Sequence, residues 1–343
     1  MVMFESVKRY ISRYKAPYTD WLQIEISSHC PSSCLYCPHT VYQAEWRNQF
    51  MSRATFQKII PALYKTKLAF LQGWGEPFTH PDFFHFLKHA KKAGCRVGTS
   101  TNGMLLDREK ITQLVDSELD LIAFSLAGLR ETNDKFRCGT RFDKIIETCR
   151  LLKKIKAQKK TNLPAVHIAF LLLRSGLEEL NQLPEQLKDI GIEQIVVSTL
   201  DFIPSQDLEK ETIRPRDESE YGELKKQLDK LVDDAARYDL ELHYHFAHPD
   251  RREPVCTENV LKAAFIAVDG SVAPCVFRKL PINESINNTE GPDTEYTPLT
   301  FGNIDTEPFD AIWRKAEYNK FRAAFIDNCP LERCCHCPKL YMT

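Results

Sequence analysis

The chain has 343 residues, with 46 basic and 47 acidic side chains and a formal net charge of -1. That length builds one large α/β domain, with or without a small appendage. The balanced charge excludes the electrostatic footprint of a protein that works on nucleic acid or anionic membrane. In chain order, residues 1–19 place Phe4, Val7, Ile11 and Tyr14 at helical spacing with Lys8, Arg9, Arg13 and Lys15 between them. This is an amphipathic helix capping the domain and not a secretory signal, and no apolar run reaches transmembrane length. Six short apolar runs read as strands: Leu22–Ser27, Leu68–Gln72, Arg96–Ser100, Leu119–Ser125, Ala165–Leu173 and Gln194–Thr199. Helical patterns lie between them at Ser52–Leu63, Pro81–Ala93, Asp107–Val115, Arg141–Gln158 and Leu177–Ile190. The alternation implies a parallel sheet with right-handed crossovers, either a partial barrel or a doubly wound sheet. After a polar linker bracketed by Pro204 and Pro215, Glu218–Tyr238 reads as one charged helix. Short β signals, a loop over Arg278–Thr300 and a helix over Pro308–Phe325 follow. The domain boundary is expected near residue 240, giving units 1–240 and 241–343.

Twelve cysteines stand out in this composition. In a cytoplasmic chain, the compartment expected here, clustered cysteines point to metal or redox chemistry and not to disulfides. Cys30, Cys34 and Cys37 form CxxxCxxC directly after the first strand, where α/β folds place their chemistry. Three thiols in eight residues suit an iron–sulfur cluster that keeps one iron open. A structural zinc with His39 as fourth ligand is the competing reading.

At these residues the sequence resembles the radical SAM superfamily, whose signature is CxxxCxφC with an aromatic, here Tyr36, before the third cysteine. The resemblance implies a partial (βα)6 TIM-like barrel and a 4Fe–4S cluster that binds S-adenosyl-L-methionine (SAM). It also implies reductive cleavage of SAM to a 5′-deoxyadenosyl radical, with electrons from a flavodoxin- or ferredoxin-type donor. Gly73-Trp74-Gly75-Glu76-Pro77 is similar to the family's GGEP segment, with Trp74 at the first glycine; the segment implies SAM contacts through Trp74, Gly75 and Glu76. Ser125 sits where the family has a ribose-binding residue. Arg137 resembles the arginine that pairs with the SAM carboxylate, and Arg141 is its rival.

A second constellation comprises Cys256, Cys275 after the Asp-Gly turn in VDGSVAPC, and Cys334 and Cys337 near the end of the chain. It resembles the C-terminal SPASM and Twitch domains of the superfamily, a small α+β unit, which implies an auxiliary 4Fe–4S cluster. The chain ends six residues past Cys337, so one auxiliary cluster is expected, held by Cys256, Cys275, Cys334 and Cys337. Cys329 and Cys335 are rivals of Cys334, and structural zinc is again the competing reading. Cys95, Cys138 and Cys149 read as ordinary buried thiols.

Substrate-facing positions at strand ends are Asn102, Arg174, Ser198 and Asp201, joined by His243 and His245 if their segment is a strand. The expected activity is oxidation or dehydrogenation of a small molecule, with the auxiliary cluster transferring electrons. Radical modification or crosslinking of a peptide or protein is the alternative. A zinc-stabilised binding protein without catalysis is a third reading.

Overall fold

The computed structural model describes residues 19–282, 286–288, 294–328 and 330–342. The expected N-terminal helix (but for Thr19) and Cys329 lie outside the described residues. In chain order the strands begin with β1 (Thr19–Ile24), β2 (Ser33–Cys34), β3 (Thr66–Phe70), β4 (Arg96–Thr101), β5 (Leu121–Leu126), β6 (Arg137–Cys138) and β7 (Ala165–Leu172). They continue with β8 (Gln194–Thr199), β9 (Glu241–His245), β10 (Ala263–Ile266), β11 (Ser271–Ala273), β12 (Ile286–Asn288), β13 (Thr294–Tyr296) and β14 (Gly302–Asn303).

Ten strands form one sheet in the order β14-β11-β10-β1-β3-β4-β5-β7-β8-β9. Every pairing from β10 across to β9 is parallel, and β11 and β14 add on antiparallel. From β1 to β9 the strands lie side by side in sequence order. A doubly wound sheet would reverse direction at a switch point, whereas this one keeps turning one way. The fold is therefore a partial, TIM-like barrel, with crossover helices on one face and an open concave lumen on the other.

The sequence dictates which residue faces which side. Ile24, Leu71, Val97, Phe124, Ile168 and Val197 are buried in one core with Ile59, Phe86, Leu114 and Leu152 of the helices. Each such side chain contributes roughly 1.5–3 kcal/mol by leaving water. Helix starts are fixed by side-chain acceptors: Ser52, Asp107 and Asp217 each accept a hydrogen bond from the amide three residues on. Gly94, at φ 91°, ends the helix Phe83–Ala93 in a left-handed turn.

Two expectations change. The helix expected over Leu177–Ile190 is reduced to 3-10 turns and a short helix, Leu183–Leu187. Pro184 lacks an amide proton and fits only a first turn, so no long helix runs through it. The helix expected over Pro308–Phe325 breaks into Phe309–Trp313 and Ala316–Ile326. Lys315 between them is extended, and its ammonium bonds the carbonyl of Phe301 and pairs with Glu307. The sheet continues past residue 240, where β9 pairs with β8 from Gln194↔Glu241 to Ser198↔His245.

Candidate active site and metal centres

The first cysteine loop is stapled from four sides. β2 pairs with β6 at Cys34↔Arg137 and Ser33↔Cys138. The Leu35 amide donates to Phe136 O, and the Glu76 amide donates to His29 O. Asn102 Nδ2 donates to Ser32 Oγ at 3.1 Å and reaches Cys30 Sγ at 3.9 Å. The indole of Trp46 donates to Ser28 O. Burial pushes the Cys30 thiol up to about 11 and Cys37 up to about 12, and raises Cys34. In this apolar pocket the thiols stay protonated until a cation displaces the protons.

Beside them lies the guanidinium of Arg137, 7% exposed. It donates to the Tyr36 hydroxyl, and its Nε has no partner among the described residues. Burial opposes its charge, but Tyr36 and the cysteines outweigh that cost and hold the group charged. A buried, underused guanidinium fits the carboxylate of an amino acid ligand. Arg141 is exposed. His39 Nε2 lies 3.4 Å from Asn48 Oδ1 and its ring 5.3 Å from that of Trp46.

The segment 73–77 after β3 is packed against the same loop. A Cβ on Gly75 would stand 2.3 Å from Ser27 O and 2.7 Å from His29 O, so only glycine fits. The carboxylate of Glu76 is buried, accepting from Thr101 Oγ1 and the amides of Asn102 and Phe78. It splices this turn to the end of β4. The Trp74 amide donates to Glu25 Oε1, and its indole donates to Val276 O, next to Cys275. The ring packs against those of Phe202 and Phe277, at 6.0 and 5.7 Å. Trp74 thus ties the barrel mouth to the second cysteine region.

Strand alternation puts Ser125, Ser198, His243 and His245 on the lumen face, along with Gln23, Gln72 and His167. Ser100 and Ser125 share a hydrogen bond at 3.2 Å. His243 Nε2 meets Glu241 Oε1 at 2.7 Å. Burial lowers the pKa of His245. Asn102 is buried in the cysteine loop's support, and Arg174 is exposed, donating to Thr212 O outside the lumen. Asp201, 8% exposed in its side chain, is ion-paired with Lys339 at 3.0 Å. Among the described residues, three that bear on the site escaped the sequence reading: Glu25, Glu258 and Lys339. Only their lodging at strand ends or beside cysteines marked them.

In the second region, Cys256, Cys275, Cys334 and Cys337 line one small cavity. Cys335 does not, since its thiol donates to Pro330 O. Four thiols on one cavity give a donor set that fits a cuboidal cluster, one thiolate for each iron. Burial raises Cys275 well above its ordinary value and pushes Cys256 up to about 11. No described cysteine is in a disulfide. Cys95 and Cys149 are buried as expected, but Cys138 is half-exposed, because it sits on the short β2–β6 ladder over the first cluster loop.

A partial parallel barrel with three thiols at its mouth and four more in an appended region defines a class of iron–sulfur enzymes. The family model of the radical SAM superfamily matches residues 24–168, and that of the SPASM iron–sulfur cluster-binding domain matches residues 256–338. The chain carries a radical SAM domain and a SPASM domain, so SAM, a 4Fe–4S cluster and auxiliary iron–sulfur chemistry come with it. It is 26% identical over 308 residues to a tungsten-containing aldehyde ferredoxin oxidoreductase cofactor-modifying protein of Pyrococcus furiosus, covering 88% of this chain and 83% of that one. An AdoMet-dependent heme synthase of Methanosarcina barkeri is 22% identical over 318 residues, covering 87% and 83%. Among solved structures, anSMEcpe with bound AdoMet superposes with a TM-score of 0.66 at 17% identity, over 93% of this chain and 88% of that one. Streptococcus suis SuiB bound to S-adenosylmethionine gives 0.65 at 14% identity, over 94% and 71%. The non-catalytic reading is set aside: the chain is an enzyme. No helix among the described residues is long and apolar enough to cross a membrane.

Proposed function

We propose that this enzyme oxidises a small molecule or cofactor precursor seated in the barrel lumen. Once bound, the first cluster with SAM supplies a hydrogen-abstracting 5′-deoxyadenosyl radical, and the auxiliary cluster supplies a one-electron acceptor. Cys30, Cys34 and Cys37 hold the first cluster, and Cys256, Cys275, Cys334 and Cys337 the auxiliary one. Arg137 pairs with the SAM carboxylate, positioned by Tyr36, while Gly75 lets the 73–77 backbone come close and Glu76 fixes that turn. Ser125 offers a hydroxyl to the ribose. The lumen histidines His243 and His245 are the proton acceptors, with the pKa of His245 lowered by partial desolvation. A flavodoxin- or ferredoxin-type protein delivers the electron.

One observation carries this reading: four thiols line a single cavity beside the lumen, so every iron of a cuboidal cluster has a protein ligand and electron transfer is its remaining role. The cofactor-modifying relative, similar along nearly its whole length, favours a small molecule. The peptide or protein alternative draws on a PqqA peptide cyclase, 28% identical over 111 residues. Fractionated cell extract separates the two. With reductant and SAM, the dialysable fraction should stimulate 5′-deoxyadenosine formation. Stimulation by the retained macromolecular fraction alone would favour the alternative.

A further inference from the structure

Two charged side chains each stand two residues beyond a thiol of the auxiliary set: Glu258 after Cys256, and Lys339 after Cys337. Both line the cavity those thiols form. Lys339 Nζ lies 3.0 Å from Asp201 Oδ2, 3.6 Å from Glu258 Oε1 and 5.6 Å from the centre of the Phe277 ring. Asp201 comes from the other side, just past the end of β8 at the lumen rim, and also accepts from the Thr199 hydroxyl at 3.1 Å. All three charges are largely withdrawn from water, with side-chain exposures of 16%, 8% and 18% for Lys339, Asp201 and Glu258. Burying such a triad gains little stability over apolar packing, so its placement calls for an electrostatic reason. Arg278, 6% exposed, lines the same cavity and adds a second cation.

A group held by four thiolates is anionic, and each electron it takes adds negative charge in a medium of low dielectric constant. A fixed ammonium on the cavity wall makes that addition easier and so raises the reduction potential. We propose that Lys339 is the residue that sets the potential of the auxiliary site, with Asp201 as the brace that holds its ammonium there from the barrel side. Lys339 is a positioning residue of electrostatic kind and touches no reacting atom.

This inference rests on the auxiliary cluster of the proposed function. The test is an anaerobic, EPR-monitored redox titration of the reconstituted full chain. Lys339→Met should shift the auxiliary signal to more negative potential. Asp201→Asn, which keeps an oxygen to hold the ammonium but removes the negative charge, should shift it to more positive potential, and Lys339→Arg should restore the wild-type value. Shifts of opposite sign are not what a merely structural role produces. No shift in Lys339→Met, or a shift of the same sign in both variants, overturns the inference and leaves the enzyme reading standing. Should Lys339→Met fail to take up iron, the sign in Asp201→Asn decides alone: a positive shift supports the tuning and any other result overturns it. A wild-type chain with no second EPR-active cluster overturns the auxiliary reading itself.

Discussion

At the scale of single residues, neighbours in sequence are told apart by where their atoms point. Cys334 lines the auxiliary cavity while Cys335, one residue on, donates to a backbone carbonyl. Cys334→Ala should therefore cost about four irons per chain and Cys335→Ala none, by iron and sulfide analysis of anaerobically purified protein; equal losses would contradict the assignment. The CxxC spacing singles out Cys334 as the proposed ligand, as the spacing of the first triplet singles out Cys30, Cys34 and Cys37. Glu25 was not readable, because a lone acid at a strand end carries no motif. It is wholly buried, and its oxygens accept from the amides of Trp74 and Val268. Burial pushes its pKa up to about 7 from an ordinary 4.5, against those two bonds. Because the folded value is the higher one, the folded chain keeps a proton that the unfolded chain releases. The stability this gives is complete below about pH 4.5 and is lost as pH rises through about 7. Glu25→Gln does not titrate, so its thermal stability relative to the wild type should climb across that window, by on the order of 3 kcal/mol, and then level off. A difference that does not change with pH would refute this.

At the scale of elements, the alternation of apolar runs and helical patterns made the barrel legible, since each strand buries one face and each helix one stripe. Where the periodicity misled, a local backbone constraint was responsible. Pro184 truncates the helix expected over Leu177–Ile190, and extended Lys315 splits the one near the C-terminus. β9 went uncounted as a barrel strand because its lumen-facing Glu241, His243 and His245 are polar and leave only a weak apolar signal. The turn after β3 shows the opposite case, in which a short motif reports a tight contact. Gly75→Ala would push a methyl group against the carbonyl oxygens of Ser27 and His29. Overpacking backbone costs roughly 1–3 kcal/mol, and the displaced loop should lose at least about tenfold in SAM affinity, a change worth about 1.4 kcal/mol. Equilibrium binding of SAM to the anaerobic protein, beside its melting temperature, reads both. Unchanged affinity would show that this turn does not hold the ligand.

At the scale of the whole molecule, two thiol sites are joined through one mouth. Trp74 reaches from the turn after β3 to Val276, and Asp201 reaches from the end of β8 to Lys339. The sequence disclosed both cysteine sets but not their connection, because contacts between residues 202 or 138 positions apart leave no periodic trace. β10, from the C-terminal region, pairs directly with β1, so the auxiliary region is built onto the barrel's own sheet. That architecture makes sense if electrons pass between the lumen and the second site, and its central claim is that both sites hold iron–sulfur clusters. The most direct measurement is the iron, sulfide and zinc content of the full chain purified without oxygen, followed by addition of reductant and SAM. About eight irons and eight sulfides per chain, with 5′-deoxyadenosine released, is the predicted result. Zinc in place of iron at the second site, with only about four irons, would contradict it.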